Sequence, residues 1–150
     1  MNLTSFDGLC AQLAGLGHQE APALEVNEDG STGFSITVGG FPMVAMQPPR
    51  SSAKSNTAFF FMDLGTMPEE IELAGWGALM QANFAMLNDG APRFSRRPAT
   101  GDVLLQYAYP MDDGDFAVLL GNLLDMVRIG RKWRQDHFLR SEASALEWAA

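Results

Sequence analysis

Cysteine and histidine are scarce in this 150-residue chain, which has one Cys and two His. The single cysteine, Cys10, can form neither an internal disulfide nor a cysteine-based metal site, and such usage suits a reducing compartment. No stretch approaches the ~20 consecutive apolar residues that a membrane-spanning helix needs. The N-terminus lacks a cationic region followed by an apolar one. We therefore expect a soluble protein that is not exported.

Basic residues are also few, because 10 Lys and Arg stand against 18 Asp and Glu, for a net charge of −8. The resulting field repels nucleic-acid phosphates and anionic membrane surfaces and attracts basic partners. Four of the bases, Arg128, Arg131, Lys132 and Arg134, lie in one stretch. They flank the C-terminal end of a predicted helix, where the macrodipole favours cations. We therefore expect no nucleic-acid partner and no membrane partner.

The side chains that catalysis needs do not occur in useful combinations. His18 lies in a predicted connection and His137 near the end of the last predicted helix, and neither has an evident nucleophile or acid beside it. Asp112, Asp113 and Asp115 faintly resemble a calcium loop, but they lack its spacing and its closing Glu, so helix capping is the better interpretation. We expect no catalytic residue, no metal site and no cofactor.

Apolar residues, by contrast, make up 47% of the chain. That content is ample for one core in a chain of single-domain length. Steps of three and four residues predict an amphipathic helix from Phe6 to Leu16. Cys10 lies on the apolar side of this helix, where it is expected to act as a small buried hydrophobe.

Strands are predicted for the next part of the chain. Alternation of apolar and polar residues indicates a weak strand near 24–26 and a hairpin with arms at 34–38 and 41–46, joined by two glycines. A Pro- and Ser-rich stretch at 48–56 predicts an exposed loop. The continuous apolar run at 58–62 predicts a central strand covered on both faces.

A helix with two apolar sides is predicted for about 68–88. Pro68 and the acids after it suit a helix N-terminus. Helical periodicity puts one set of apolar residues on one stripe and another on the nearly opposite stripe. The first stripe contains Leu73, Trp76, Met80, Phe84 and Leu87, and the second contains Ile71, Leu79, Ala82 and Met86. One sheet covers only one stripe, so the same helix of a second subunit is the economical partner for the other.

The last third supplies a short strand at 93–97, a longer one at 103–109 and a final helix. The apolar stripe of this helix contains Phe116, Leu119, Leu120, Leu123, Met126 and Val127. The full order is α-β-β-β-α-β-β-α, which predicts an α+β fold with a mostly antiparallel, twisted sheet and three helices. We expect one domain over 1–140, with 141–150 as a helix extension or a tail.

The second half of the chain resembles the Tir-chaperone (CesT) family of class I type III secretion chaperones of Gram-negative bacteria. Residues 80–84, Met-Gln-Ala-Asn-Phe, are similar to the family's helix ending in Ala-Asn-Leu/Phe. Residues 99–107 are similar to its strand pair, and 109–112 to its Pro-hydrophobic-Asp exit. The similarity covers about 3–138 and is strongest over 76–133.

This resemblance implies a non-enzymatic, cytoplasmic homodimer. Such a chaperone keeps an extended segment near the N-terminus of a secreted effector soluble and secretion-competent, without ATP, until the secretion apparatus takes it. The secretion ATPase is a further candidate partner. The implied dimer interface contains Trp76, Met80, Phe84 and Leu87. Effector-binding grooves and a sheet edge are expected to involve Leu13, Leu16, Phe34, Ile36, Phe41, Met43 and Met46.

Three other interpretations remain open at this stage. A YbjN-like module would use the same fold to bind peptides or proteins outside secretion. A small α+β hydrolase or lipid-pocket enzyme would need a deep cavity with a polar cluster, for which the chain offers few titratable residues at element ends. A secreted interaction protein would need an export signal at its N-terminus.

Overall fold

The computed structural model of the protein describes residues 5–17, 20, 22–86, 90–112 and 114–139. Within these residues the helices are α1 (Phe6–Leu16), α2 (Glu72–Ala85) and α3 (Phe116–Asp136), with a 3-10 turn at Glu69–Ile71 before α2. The strands are β1 (Glu25–Val26), β2 (Thr32–Val38), β3 (Phe41–Gln47), β4 (Thr57–Thr66), β5 (Arg93–Arg96) and β6 (Asp102–Pro110). The predicted α+β fold with three helices and an antiparallel sheet is confirmed, but four strands, β1 to β4, precede α2, where the predicted order has three.

The strands form one antiparallel sheet in the order β1-β2-β3-β4-β6-β5. The predicted hairpin is β2–β3, in which Val38 lies opposite Phe41 across a two-residue turn. Gly39 and Gly40 both have positive φ, 57° and 85°. A turn of this kind requires positive φ at both positions, and glycine adopts it without a steric penalty. The turn chemistry therefore fixes the register of the hairpin.

One face of the sheet carries the core. Alternate residues of neighbouring strands share this face, as in the row where Ala45 lies opposite Phe60 and Phe60 lies opposite Tyr107. Helices α1 and α3 contribute buried side chains such as Leu9 and Leu123 to the same cluster. We call this side of the sheet the helix-covered face.

The other face of the sheet has no comparable cover, which corrects the prediction that the run at 58–62 is buried on both sides. Along β4, buried residues alternate with partly exposed ones, and Phe59 and Phe61 belong to the partly exposed set. A continuous apolar run shows that both faces are apolar, but it does not show that this chain supplies both covering layers. We call this side the open face; its apolar residues are Val44, Met46, Phe59, Phe61 and Leu104.

The Asn83 side chain links helix α2 to the β5 edge of the sheet. The Asn83 side-chain amide donates to the Phe94 carbonyl oxygen at 3.0 Å, and the Phe94 N–H donates to Asn83 Oδ1 at 2.7 Å. Phe94 pairs with β6 on its other side. Asn83 thus satisfies the outward-facing main-chain groups of an edge strand, which would otherwise be open to another chain. The inner side of α2 buries Leu79 and Ala82 in the core.

The predicted capping role of the aspartates before α3 is confirmed for Asp115, whose Oδ1 accepts from the Ala117 N–H at 2.9 Å. Asp112 instead accepts from the Asn56 side chain at 2.7 Å. Asp113 lies outside the described residues. Helix α3 ends at His137, which has a left-handed conformation with φ 54°.

None of the helices in the described part of the chain is long and apolar enough to cross a membrane. The predicted tail or helix extension at 141–150 lies outside the described residues, as do His18 and Leu87.

We predict that Asn83→Ala lowers the free energy of unfolding by about 1–3 kcal/mol, because the Phe94 main-chain groups lose their partner at a part-buried site. Urea denaturation at fixed protein concentration measures the effect. The matched control is Gln81→Ala, an exposed position two residues away on α2. Equal stability of the two variants would show that Asn83 does not hold the helix to the strand.

Candidate protein-binding surfaces

Helix α2 presents large apolar side chains to solvent. Leu73 is 91% exposed, Met80 73% and Phe84 82%, and we call these three residues the α2 stripe. On the opposite side of the helix Leu79 and Ala82 are buried. The prediction of a helix with two apolar sides, of which the fold covers one, is therefore confirmed.

The residues beside the α2 stripe determine how closely a partner can approach. Apart from the neighbouring residues and backbone of α2 itself, no atom lies within 4 Å of the position that a Cβ would take at Gly77, between Leu73 and Met80. Another helix can therefore approach the backbone closely at this point. Trp76, predicted for the dimer interface, is partly buried against the core. The interface role predicted for Leu87 lies outside the described residues.

The open face contains a groove of about 410 Å³. Its floor is apolar, and Val44, which lies opposite Phe61, is 39% exposed there. The rims are polar and of opposite charge. The lining residues are Glu25, Asn27, Gly33, Phe34, Ser35, Val44, Met46, Phe61, Arg97, Pro98 and Leu104. At one rim Arg97 Nη2 lies 3.8 Å from Asp63 Oδ2.

The two edges of the sheet differ in accessibility. Asn83 occupies the β5 edge. At the other edge, β1 pairs with β2 only at Thr32 and Gly33. From Phe34 to Val38, the main-chain partners of β2 within the described residues belong to β3. The outer side of this stretch is therefore available for pairing with an added strand.

The residues predicted to contact an effector do not share one surface. Phe34, Phe41 and Met43 are at most 3% exposed and belong to the core. Their side chains lie beneath the surface and offer little area for direct contact, although Phe34 also lines the groove.

The other four predicted contact residues are accessible to different degrees. Leu16 is 52% exposed at the end of α1, and Leu13 is partly buried against the core. Ile36 lies on the helix-covered face, whereas Met46 lies on the open face. A ligand that contacted all four would have to pass around the β2 edge.

The residues considered above for catalysis or metal binding have structural roles in the part of the chain that the structure describes. Cys10 is 2% exposed, and its Sγ lies 3.7 Å from the Pro22 carbonyl oxygen. Desolvation, reinforced by the charge of Asp7, raises the pKa of the Cys10 thiol above its usual value. The His137 ring packs edge-on against Trp133 at 4.7 Å between centroids. Among the described residues no group of three or more His, Cys, Asp or Glu could hold a metal ion.

Several bases of the C-terminal stretch bind groups of this chain. The Arg134 guanidinium lies 4.2 Å from the centre of the Phe41 ring, and it donates to the Leu64 carbonyl oxygen. Arg131 donates to the Gly39 carbonyl oxygen. These contacts attach α3 to β3 and β4 and to the hairpin turn, which gives the arginines a structural role.

The comparisons with known proteins agree with this fold. A chain from the crystal structure of the ExsC–ExsE complex superposes with a TM-score of 0.57 at 20% identity, covering 94% of this chain and 100% of that one. A chain from the structure of the HopA1–SchA chaperone–effector complex gives a TM-score of 0.56 at 14% identity, covering 87% and 95%. The fold is that of type III secretion chaperone structures.

The sequence itself identifies the family. The model of the Tir chaperone protein (CesT) family matches residues 12–134. The chain belongs to this family, which confirms the resemblance. No curated protein sequence matches the chain significantly.

Sequence reasoning missed two features of these surfaces. Asn83 stood inside the family-like Ala-Asn-Phe motif, but its partner is a strand that sequence spacing alone does not identify. The open-face groove was missed because Phe59 and Phe61 were interpreted as buried. The short polar break at Gly33 and Ser35 in β2, opposite Met46 and Val44, was the one local indication of an uncovered face.

We predict that Cys10 in the folded protein reacts slowly with iodoacetamide at pH 8, because the thiol is buried and its raised pKa keeps it protonated. The pKa of the Cys10 thiol is higher in the folded state than in the unfolded state, so the protonated thiol favours the folded state at lower pH. This contribution of Cys10 to the free energy of unfolding is lost as the pH rises through the folded-state pKa. Mass spectrometry of labelling over time measures the rate. The same protein in denaturant is the control, and equal rates in both conditions would contradict the assignment.

Proposed function

We propose that this protein is a type III secretion chaperone that binds the N-terminal region of a secreted effector in the bacterial cytoplasm. It acts as a homodimer and keeps the effector soluble and competent for secretion. It is a binding protein and has no catalytic activity. The observation that carries the proposal is the apolar surface left uncovered by a chaperone-family fold: the α2 stripe and the open face.

The exposed α2 stripe supports the proposed homodimer. Its three side chains are more than 70% exposed, and burying a side chain of this size fully is worth about 1.5–3 kcal/mol. A symmetric interface buries the same three residues twice, which helps to offset the entropy lost on association. The stripe includes Met80 and Phe84 of the predicted interface. Trp76, which is partly buried, is proposed to contribute at the margin of the stripe.

The effector is proposed to bind on the other side of the subunit. An extended segment can add to the free edge of β2 between Phe34 and Val38, where main-chain hydrogen bonds give affinity. We propose that Leu13, Leu16, Ile36 and Met46 provide the apolar contact area for this segment. The structure of the HopA1–SchA complex is of a chaperone with its effector, which supports a client of this class. A net charge of −8 favours a basic segment.

The last part of the proposal is the transfer of the bound effector to the secretion machinery. Binding without ATP is consistent with affinity built from many modest apolar contacts, offset by the cost of ordering the client. The secretion ATPase is the proposed recipient. Membership of the CesT family favours this function over a YbjN-like module outside secretion.

We predict that the double variant Met80→Asp and Phe84→Asp is a folded monomer, because both residues are exposed within the subunit and a buried charge would oppose self-association. Size-exclusion chromatography with light scattering measures the mass, and circular dichroism checks the fold. The control is Val118→Asp, a 57% exposed apolar position on α3, which should remain a dimer. A wild-type protein that is monomeric at micromolar concentration would refute the dimer.

We predict that affinity capture from the native bacterium under secretion-inducing conditions recovers a secreted protein. Limited proteolysis of the complex should protect a segment near the N-terminus of that protein. The variant Leu16→Asp should recover less of it, since Leu16 is 52% exposed and belongs to the predicted effector-binding residues. Recovery of no secreted protein under these conditions would refute the proposed function.

A further inference from the structure

Helix α2 has little stability of its own. Its N-cap position is occupied by Ile71, whose side chain makes no capping hydrogen bond. Gly75 and Gly77 lie inside the helix, and an internal glycine destabilises a helix because its unfolded backbone is freer than that of other residues. The placement of the α2 stripe therefore depends on the contacts that α2 makes with the rest of the subunit.

The Asn83 contact fixes α2 only as firmly as β5 itself is fixed. Asn83 donates to and accepts from the main chain of Phe94, at 3.0 and 2.7 Å. Strand β5 has four residues and is the last strand in the order of the sheet. A short strand at an edge opens easily unless buried side chains anchor it. The surroundings of the Phe94 ring therefore determine how well Asn83 can hold the helix.

Phe138 packs against the Phe94 ring from the end of α3. The two ring centroids lie 5.9 Å apart, and the ring planes meet at 78° in an edge-to-face arrangement. Aromatic pairs favour this geometry. Both residues are buried. Phe138 thus anchors the side chain of the residue whose main chain binds Asn83.

The chain adopts an unfavourable conformation to place Phe138 there. His137 and Phe138 have φ of 54° and 60°, and the other described residues with positive φ are glycines. Residues with a side chain adopt this left-handed conformation at an energetic cost. The His137 N–H donates to the Trp133 carbonyl oxygen at 2.6 Å. The Phe138 N–H donates to Asp136 Oδ1 at 2.9 Å, so hydrogen bonds hold the turn against its strain.

We propose that Phe138 is a positioning residue for the α2 stripe: it anchors Phe94, through which Asn83 holds α2 in the place where a second copy of the chain binds. Phe138 is 4% exposed, so its side chain offers almost no area to the partner copy itself. The inference rests on the proposed homodimer and adds to it a residue that lies outside the interface.

The test compares Phe138→Ala with Phe6→Ala in the full-length protein. Phe6 is the matched control because it is also 4% exposed and packs against another phenylalanine, Phe34, with 5.0 Å between ring centroids. Phe34 belongs to β2, which lies toward the opposite end of the sheet from β5. Each variant loses a buried ring, so both should unfold at a lower urea concentration than the wild type.

The dimer should respond to Phe138→Ala alone. Its dissociation constant, measured by sedimentation over a dilution series, should rise at least about tenfold. Phe6→Ala should leave this constant within about twofold of the wild-type value. Circular dichroism checks the fold of each variant. If Phe138→Ala does not fold, Phe138→Leu, which stays apolar but loses the ring contact, should raise the constant by about threefold.

Hydrogen exchange followed by mass spectrometry locates the effect. Relative to amides of the β2–β3 hairpin, the amides of α2 and β5 should exchange at least about tenfold faster in Phe138→Ala than in Phe6→Ala. A purely structural role of Phe138 would change the exchange of both regions alike.

A combined variant tests the order of the contacts. If Phe138 acts through Asn83, then Asn83→Ala already removes that connection, and adding Phe138→Ala should raise the dissociation constant by no more than about threefold further. A further tenfold increase, on the order of two independent effects, would show that Phe138 acts on α2 by another path and would overturn the proposed one.

Two other outcomes would overturn the inference. The dissociation constant of folded Phe138→Ala could equal that of the wild type, or Phe6→Ala could raise it as much, which would mean that any loss of stability weakens the dimer. A monomeric wild type would instead refute the proposed homodimer, and the exchange comparison would then decide alone whether Phe138 positions α2.

Discussion

The other features of the structure follow from one fact: the subunit covers only one of the two apolar faces of its sheet. A sheet with two apolar faces needs a layer on each, and α1 and α3 provide one on the face that carries the core. Val44 and Phe61 on the other face stay partly exposed, although a polar side chain there would be better suited to water. Because the missing layer costs stability and solubility in the isolated subunit, it is expected to come from another molecule.

The position of α2 follows from the same lack of cover. A third helix on the open face would have completed the subunit, but Asn83 holds α2 to the Phe94 main chain at the edge. In that position α2 covers the β5 edge of the sheet, and the side of the helix that faces away from the core is exposed to solvent. The subunit therefore has separate surfaces: the α2 stripe on one side, and the open face and the β2 edge away from it.

Local patterns predicted most of the fold because they depend on near neighbours in the chain. The glycine pair fixed the β2–β3 hairpin, and three- and four-residue spacing revealed the two sides of α2. Burial within strands was harder to predict, since a run such as 58–62 contains no polar residue to mark its outer face. For this reason the predicted effector-binding residues include core residues such as Phe34 and Met43 as well as accessible ones such as Met46. The Asn83 contact joins separate elements, and no periodicity reveals such a pair.

The acidic composition makes these exposed apolar surfaces tolerable. Copies of the chain repel one another at long range, because each carries −8, and this field decays over about 8 Å at physiological salt. Short-range apolar contact still wins where surfaces match, as a symmetric α2 contact would. At these distances the acidic chain attracts a basic client and repels an acidic protein. Under the proposed function, charge would favour the encounter with a basic client, and apolar contact would hold it.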